Sequence, residues 1–139
     1  MRALSLFVLA FVLVALPAQA QQAINWDTLA QVELTRQDGR FIPDFAPEVD
    51  QLDGQRVAIQ GFIFPIQQTL EQSHFVLIAF PLADCFYCLP GASESMIEVK
   101  ASQPVEFTYD PVTITGTLEV LESDPMGMYY RLTDAGPGS

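Results

Sequence analysis

From Arg56 onward the apolar and polar residues alternate with a period of two, the pattern of strands with one buried face. In Arg56 to Phe64, Val57, Ile59 and Ile63 share a face. Val112 to Val120 alternates most regularly, with Val112, Ile114, Gly116, Leu118 and Val120 on one side and Thr113, Thr115, Thr117 and Glu119 on the other. Met96 to Lys100 sets Ile97 and Val99 opposite Glu98. Phe75 to Phe80 is apolar throughout, which predicts a strand covered on both faces, and Met128 to Leu132 supplies a fifth strand after a turn at Asp124-Pro125-Met126-Gly127.

The phrase V-x-I-x-G occurs twice, at Val57 to Gly61 and at Val112 to Gly116. A glycine inside a strand marks a sharp bend or a bulge. Five short strands of this kind, with no long amphipathic helix, predict an all-β fold, a small five-stranded OB-like barrel with a short N-terminal helical segment. A small sandwich is the alternative. Ala101 to Pro111, with prolines at 104 and 111, reads as a loop or an extra strand rather than a capping helix.

Ahead of the barrel, Trp26 and Leu29 stand at helical spacing within Ile24 to Leu34, and Asn25 can cap a short helix there. Phe41 to Pro47 holds two prolines and two phenylalanines and reads as extended chain. Pro47 can start one helical turn that runs to Leu52 and stops at Asp53-Gly54. The division that follows is residues 1–20 as a signal peptide, 21–55 as an N-terminal extension packing on the barrel, 56–134 as the β-barrel domain and 135–139 as a flexible tail. The signal reading rests on Met1-Arg2, the apolar run Ala3 to Leu16 and the small residues of Ala18-Gln19-Ala20. That run is shorter than the ~20 residues needed to span a bilayer, so no membrane insertion of the mature chain is expected and the predicted location is periplasmic or otherwise secreted, and soluble.

Charge then narrows the partners. With Arg2 removed, five basic side chains remain against 17 acidic ones, a formal charge of −12. Such a surface repels phosphate backbones, so no nucleic acid is expected as a partner.

Trp26-x-x-Leu29, Pro43-x-Phe45, the stretch from Leu52 through Gly61-Phe62-Ile63-x-Pro65, Phe75-x-Leu77, a cysteine-bearing loop and Glu94-Ser95-x-Ile97-Glu98-Val99 together resemble a bacterial exported family, domain of unknown function 3299. Its members are often encoded beside components of ABC transporters, some linked to zinc supply. The resemblance therefore implies an accessory role in the envelope, with an inner-membrane transporter component as partner.

Reactive chemistry concentrates in Asp84-Cys85-Phe86-Tyr87-Cys88, where the chain's two cysteines stand three apart. In an oxidising compartment that spacing suits a structural disulfide. A thiol-disulfide redox role needs a lowered thiolate pKa, which a helix N-terminus or a basic neighbour would supply. Asp84 works against it, and the βαβ pattern that normally flanks a redox CxxC is missing. As soft ligands, Cys85 and Cys88 suit Zn²⁺ or Cu(I), with Asp84 or Glu94 as oxygen ligands, although a closed zinc site wants four. His74, the single histidine, would lie about 25 Å away along an extended strand and reads as a solvated strand-entry residue. Phe86 and Tyr87 either tuck onto the barrel or contact a partner. Glu94, Glu98, Glu119 and Glu122 read as solvated strand faces, with no paired arrangement that points to hydrolysis. The expectation is a noncatalytic periplasmic accessory or binding protein serving a transporter or zinc handling through the CxxC loop. A thiol-disulfide redox protein and a structural envelope protein with a CxxC disulfide are the alternatives.

Overall fold

A computed structural model describes residues 21–81 and 91–138. The chain enters as β1 (Gln22–Ala23), then α1 (Trp26–Leu29), β2 (Val32–Gln37), β3 (Arg40–Phe45) and α2 (Pro47–Asp50). The predicted helix is there, and Asn25 caps it by accepting from the Thr28 amide at 2.8 Å. It ends at Leu29 rather than Leu34, because Val32 to Gln37 pairs with Arg40 to Phe45 as a hairpin. The hairpin turns on Asp38 and Gly39, at φ 49° and 81°. Two consecutive left-handed residues make the tight turn whose twist suits a two-residue hairpin, and Asp-Gly is its sequence signal. Pro47 opens α2 as expected, since its missing N–H falls where a helix leaves amides unbonded.

The barrel follows in β4 (Arg56–Pro65), β5 (Glu71–Ile78), a 3₁₀ turn at Ser93–Ser95, β6 (Met96–Glu106), β7 (Val112–Val120) and β8 (Tyr130–Pro137). Strand β4 is used twice: Arg56 to Gly61 pairs with β7, and Phe62 to Pro65 pairs with β5. This closes the sheet in the order β4-β5-β6-β8-β7, with β6 and β8 parallel and the other pairs antiparallel. The order is that of the OB barrel expected from the sequence. Gly61 sits where β4 changes partner. A Cβ there would lie 2.8 Å from the Ile78 carbonyl oxygen and 2.9 Å from Leu77 Cγ, so the bend needs a residue without a side chain.

Three strands run longer than the alternation suggests. Strand β5 starts at Glu71, so His74 is inside it rather than at its entry. Its early inward position is filled by Gln72, a fully buried polar residue that donates through Nε2 to the carbonyls of Gln67 and Thr69. Strand β6 continues through the segment read as a loop or extra strand, but with a bulge: Gln72 pairs with Val105 while His74 pairs with Lys100. Pro104 is tolerated in that bulge, beyond the last pairing of β6 with β8. Strand β8 runs to Pro137, so residues 135–137, expected in a flexible tail, are strand, and Ala135 is buried. Asp134, at φ 47°, inserts one residue into β8 against both neighbours and shifts the inward positions from Leu132 to Ala135, which breaks the alternation.

The core combines barrel residues such as Ile59, Phe75, Leu77, Ile97, Val99, Ile114, Leu118 and Leu132 with Leu29, Phe45, Val49 and Leu52 from the N-terminal segment. Tyr130 joins the two parts. It is fully buried, and its hydroxyl donates to the Leu29 carbonyl at 2.6 Å, satisfying both groups out of water. Burial pushes that phenol well above the usual tyrosine range, and the charge of Glu94 adds to the shift.

Candidate functional site

Asp84, Cys85, Phe86, Tyr87 and Cys88 lie in 82–90, outside the described residues. Topology still fixes where that connection joins the barrel. Because β6 and β8 are parallel and each runs antiparallel to the strand before it, β5 and β7 end at the same end of the barrel. The connection from Ala79 to Ser95 and the one from Leu121 to Tyr129 therefore belong to one end, the end where Phe45 packs against Tyr129 and Tyr130 with both ring centroids 5.8 Å away.

A groove of about 420 Å³ opens there between the β2–β3 hairpin and the β7–β8 connection, with Ser93 also in its lining. Directly opposed residues in the hairpin share a face, so the pairs Val32 with Phe45, Leu34 with Pro43 and Arg36 with Phe41 make one continuous stripe. Its inner end, Phe45, is core; its outer end carries Leu34 and Phe41, which are 59% and 70% exposed. Leu34, Arg40, Phe41 and Pro43 form the hairpin wall of the groove, and Glu122, Asp124 and Tyr129 stand on the other wall.

Asp124 is the end of a charge network that crosses the outer face of the barrel. Arg131 lies directly across from Glu98 on β6 and from Glu119 on β7. Its guanidinium donates to Glu98 at 2.5 Å, to Asp124 at 3.2 Å and to Glu119 at 3.5 Å, and the other Glu98 oxygen lies 2.8 Å from His74 Nε2. The second oxygen of Asp124 accepts from the Met126 and Met128 amides at 2.8 and 3.2 Å. Burial works to raise the Glu98 carboxyl, but hydrogen bonds from Arg131 and then His74 outweigh it, and the group is held below its usual range. Arg131 is pushed up, chiefly by its bond to Glu98. Both oxygens of Glu98 and of Asp124 are thus committed. The network acts as a clamp between the β7–β8 connection and the barrel wall.

The carboxylates read from the sequence as scattered are therefore partly brought together: Glu98 and Glu119 meet on Arg131, whereas Glu122 is exposed in the groove and Glu94 sits half-buried in the 3₁₀ turn. The usable signal was the outward position of Glu98, Glu119 and Arg131 on their strands, but pairing them requires the register. His74 is engaged with Glu98. Among the described residues no three His, Cys, Asp or Glu side chains are grouped to hold a metal ion, and no helix is long and apolar enough to cross a membrane.

The family model for the protein of unknown function DUF3299 matches residues 15–134. Among curated proteins none matches the chain. A crystal structure of a DUF3299 family protein from Pseudomonas aeruginosa is similar in fold, with 20% identity and a TM-score of 0.61 over 86% of this chain and 97% of that one.

Proposed function

This chain belongs to the DUF3299 family, and from that premise we propose that it is a noncatalytic binding protein of the periplasm, exported by residues 1–20, that handles a thiophilic metal through Cys85 and Cys88. Zinc is the metal that fits best, with Asp84 as an oxygen ligand and the remaining position filled by the molecule that delivers or receives it. A transporter component of the inner membrane is the partner this reading implies, and Phe86 and Tyr87 are its contact residues. One observation supports the proposal: β5, the strand that precedes the cysteine-bearing segment in sequence, ends at the same end of the barrel as the open groove.

The test is intact mass and metal content of the mature protein isolated from the periplasm without reductant. Zinc retained through dialysis, with both thiols free, and lost in the Cys85→Ser/Cys88→Ser variant is the expected result. A chain two hydrogens lighter and free of metal would overturn it and leave a disulfide. Thiol alkylation below neutral pH would then separate a redox protein from a structural one.

A further inference from the structure

We propose that two copies of this chain associate through the groove between the β2–β3 hairpin and the β7–β8 connection, the basic apolar wall of each meeting the acidic wall of the other. A twofold contact places the same patch on both partners, so the patch must contain its own complement. This groove does. Arg40 lines one wall and the exposed Glu122 the other, and apolar Leu34, Phe41, Pro43 and Tyr129 also line the groove.

The arginines strengthen the case. Arg56 and Arg131 have carboxylate partners within this chain, at 3.7 Å from Asp134 and 2.5 Å from Glu98. Among the described residues, Arg36 and Arg40 have none within salt-bridge distance. They flank the Asp38-Gly39 turn in a chain with 17 acidic residues and six basic ones, so another copy of the chain offers chiefly acidic surface to them. Next to them the stripe that begins in the core at Phe45 emerges as exposed Leu34 and Phe41. Large apolar side chains clustered beside unpaired charge mark an interaction surface rather than scattered exposure. Both walls are also preformed, the hairpin by its tight turn and the connection by the bonds of Asp124 to Arg131, Met126 and Met128, which limits the ordering cost of association.

The inference stands apart from metal handling, because neither cysteine enters it and metal content does not report on it. Sedimentation velocity on the mature chain over a concentration series should show a monomer–dimer equilibrium. Arg40→Glu and Glu122→Arg should each raise the dimer dissociation constant by about tenfold or more, since each sets like charges together twice in a twofold contact. Mixing the two variants restores opposite charge at both places, as does combining them in one chain, so dimer should return in both samples. Far-UV circular dichroism checks that the variants fold, and Phe41→Ser should weaken the dimer independently of charge. A wild-type chain that is monomeric throughout, or a dimer unmoved by the single charge reversals, would overturn the proposal and leave the groove to a foreign partner.

Discussion

At the scale of single residues, Glu98 carries a pH dependence whose sign follows from its surroundings. Its folded-state pKa lies below the usual carboxylate range, so the native protein binds fewer protons than the unfolded chain as acid is added. The stability it contributes is present above that range and is lost as pH falls through the lowered folded value. Urea unfolding between neutral pH and the acid range should show this loss, and Glu98→Gln should flatten that part of the profile while lowering stability at neutral pH, where Arg131 loses its closest partner. An unchanged profile would mean that the Arg131 and His74 bonds do not hold in solution. The residue scale also shows what a sequence conceals. Gly61 was legible, because a glycine within alternating Val57, Ile59 and Ile63 has few other uses. The Glu98–Arg131 pair was not, since 33 positions separate the partners and only the parallel register of β6 and β8 sets them side by side.

At the scale of elements, the hairpin was the main omission. Trp26 and Leu29 at helical spacing drew attention to a short helix in Ile24 to Leu34, whereas Asp38-Gly39 between two short runs already marked a two-residue turn. Propensity lost to pairing here, as the four-residue helix gains little on its own and β2 gains a full ladder with β3. Gly39 provides a clean test of that turn, since a methyl group at its position would meet nothing within 4 Å and the whole penalty is conformational. Gly39→Ala should cost about 1 kcal/mol through the left-handed backbone, measured by urea unfolding. A neutral result would show that the turn relaxes at little cost. The longer course of β8 was hidden for a related reason: it contains a bulge, and one inserted residue reverses the parity on which period-two reading depends, whereas in β6 the inward Ile97, Val99 and Val105 keep one parity and it was Pro104 that argued against a strand.

At the scale of the whole molecule, the barrel was legible as a class because five short alternating segments with internal glycines leave few ways to bury one face each. Its closure was not, because nothing in β4 alone says that its first half serves β7 and its second half β5. The candidate site divides in the same way. The cysteines announce themselves by spacing, while the groove is assembled from Leu34, Phe41, Glu122 and Tyr129, which are distant in sequence and meet only through topology.

The double use of β4 has a kinetic consequence. Its pairing with β5 is a nearby hairpin, but its pairing with β7 joins Arg56 to Thr117 across most of the barrel sequence, so a large loop must be closed before that ladder gives any return. Closure should therefore be a late event on the folding path. Ile114, fully buried on β7 and opposite Ile59, reports on it: Ile114→Val should leave the refolding rate nearly unchanged and raise the unfolding rate by most of its destabilisation, about 0.5–1.5 kcal/mol. Stopped-flow measurement of both limbs decides the point, and a slowed refolding limb would place the β4–β7 seam in the nucleus. A seam that forms last is also the first to part, so the junction of β4 and β7 is where this barrel should open if refolding is unmoved by Ile114→Val.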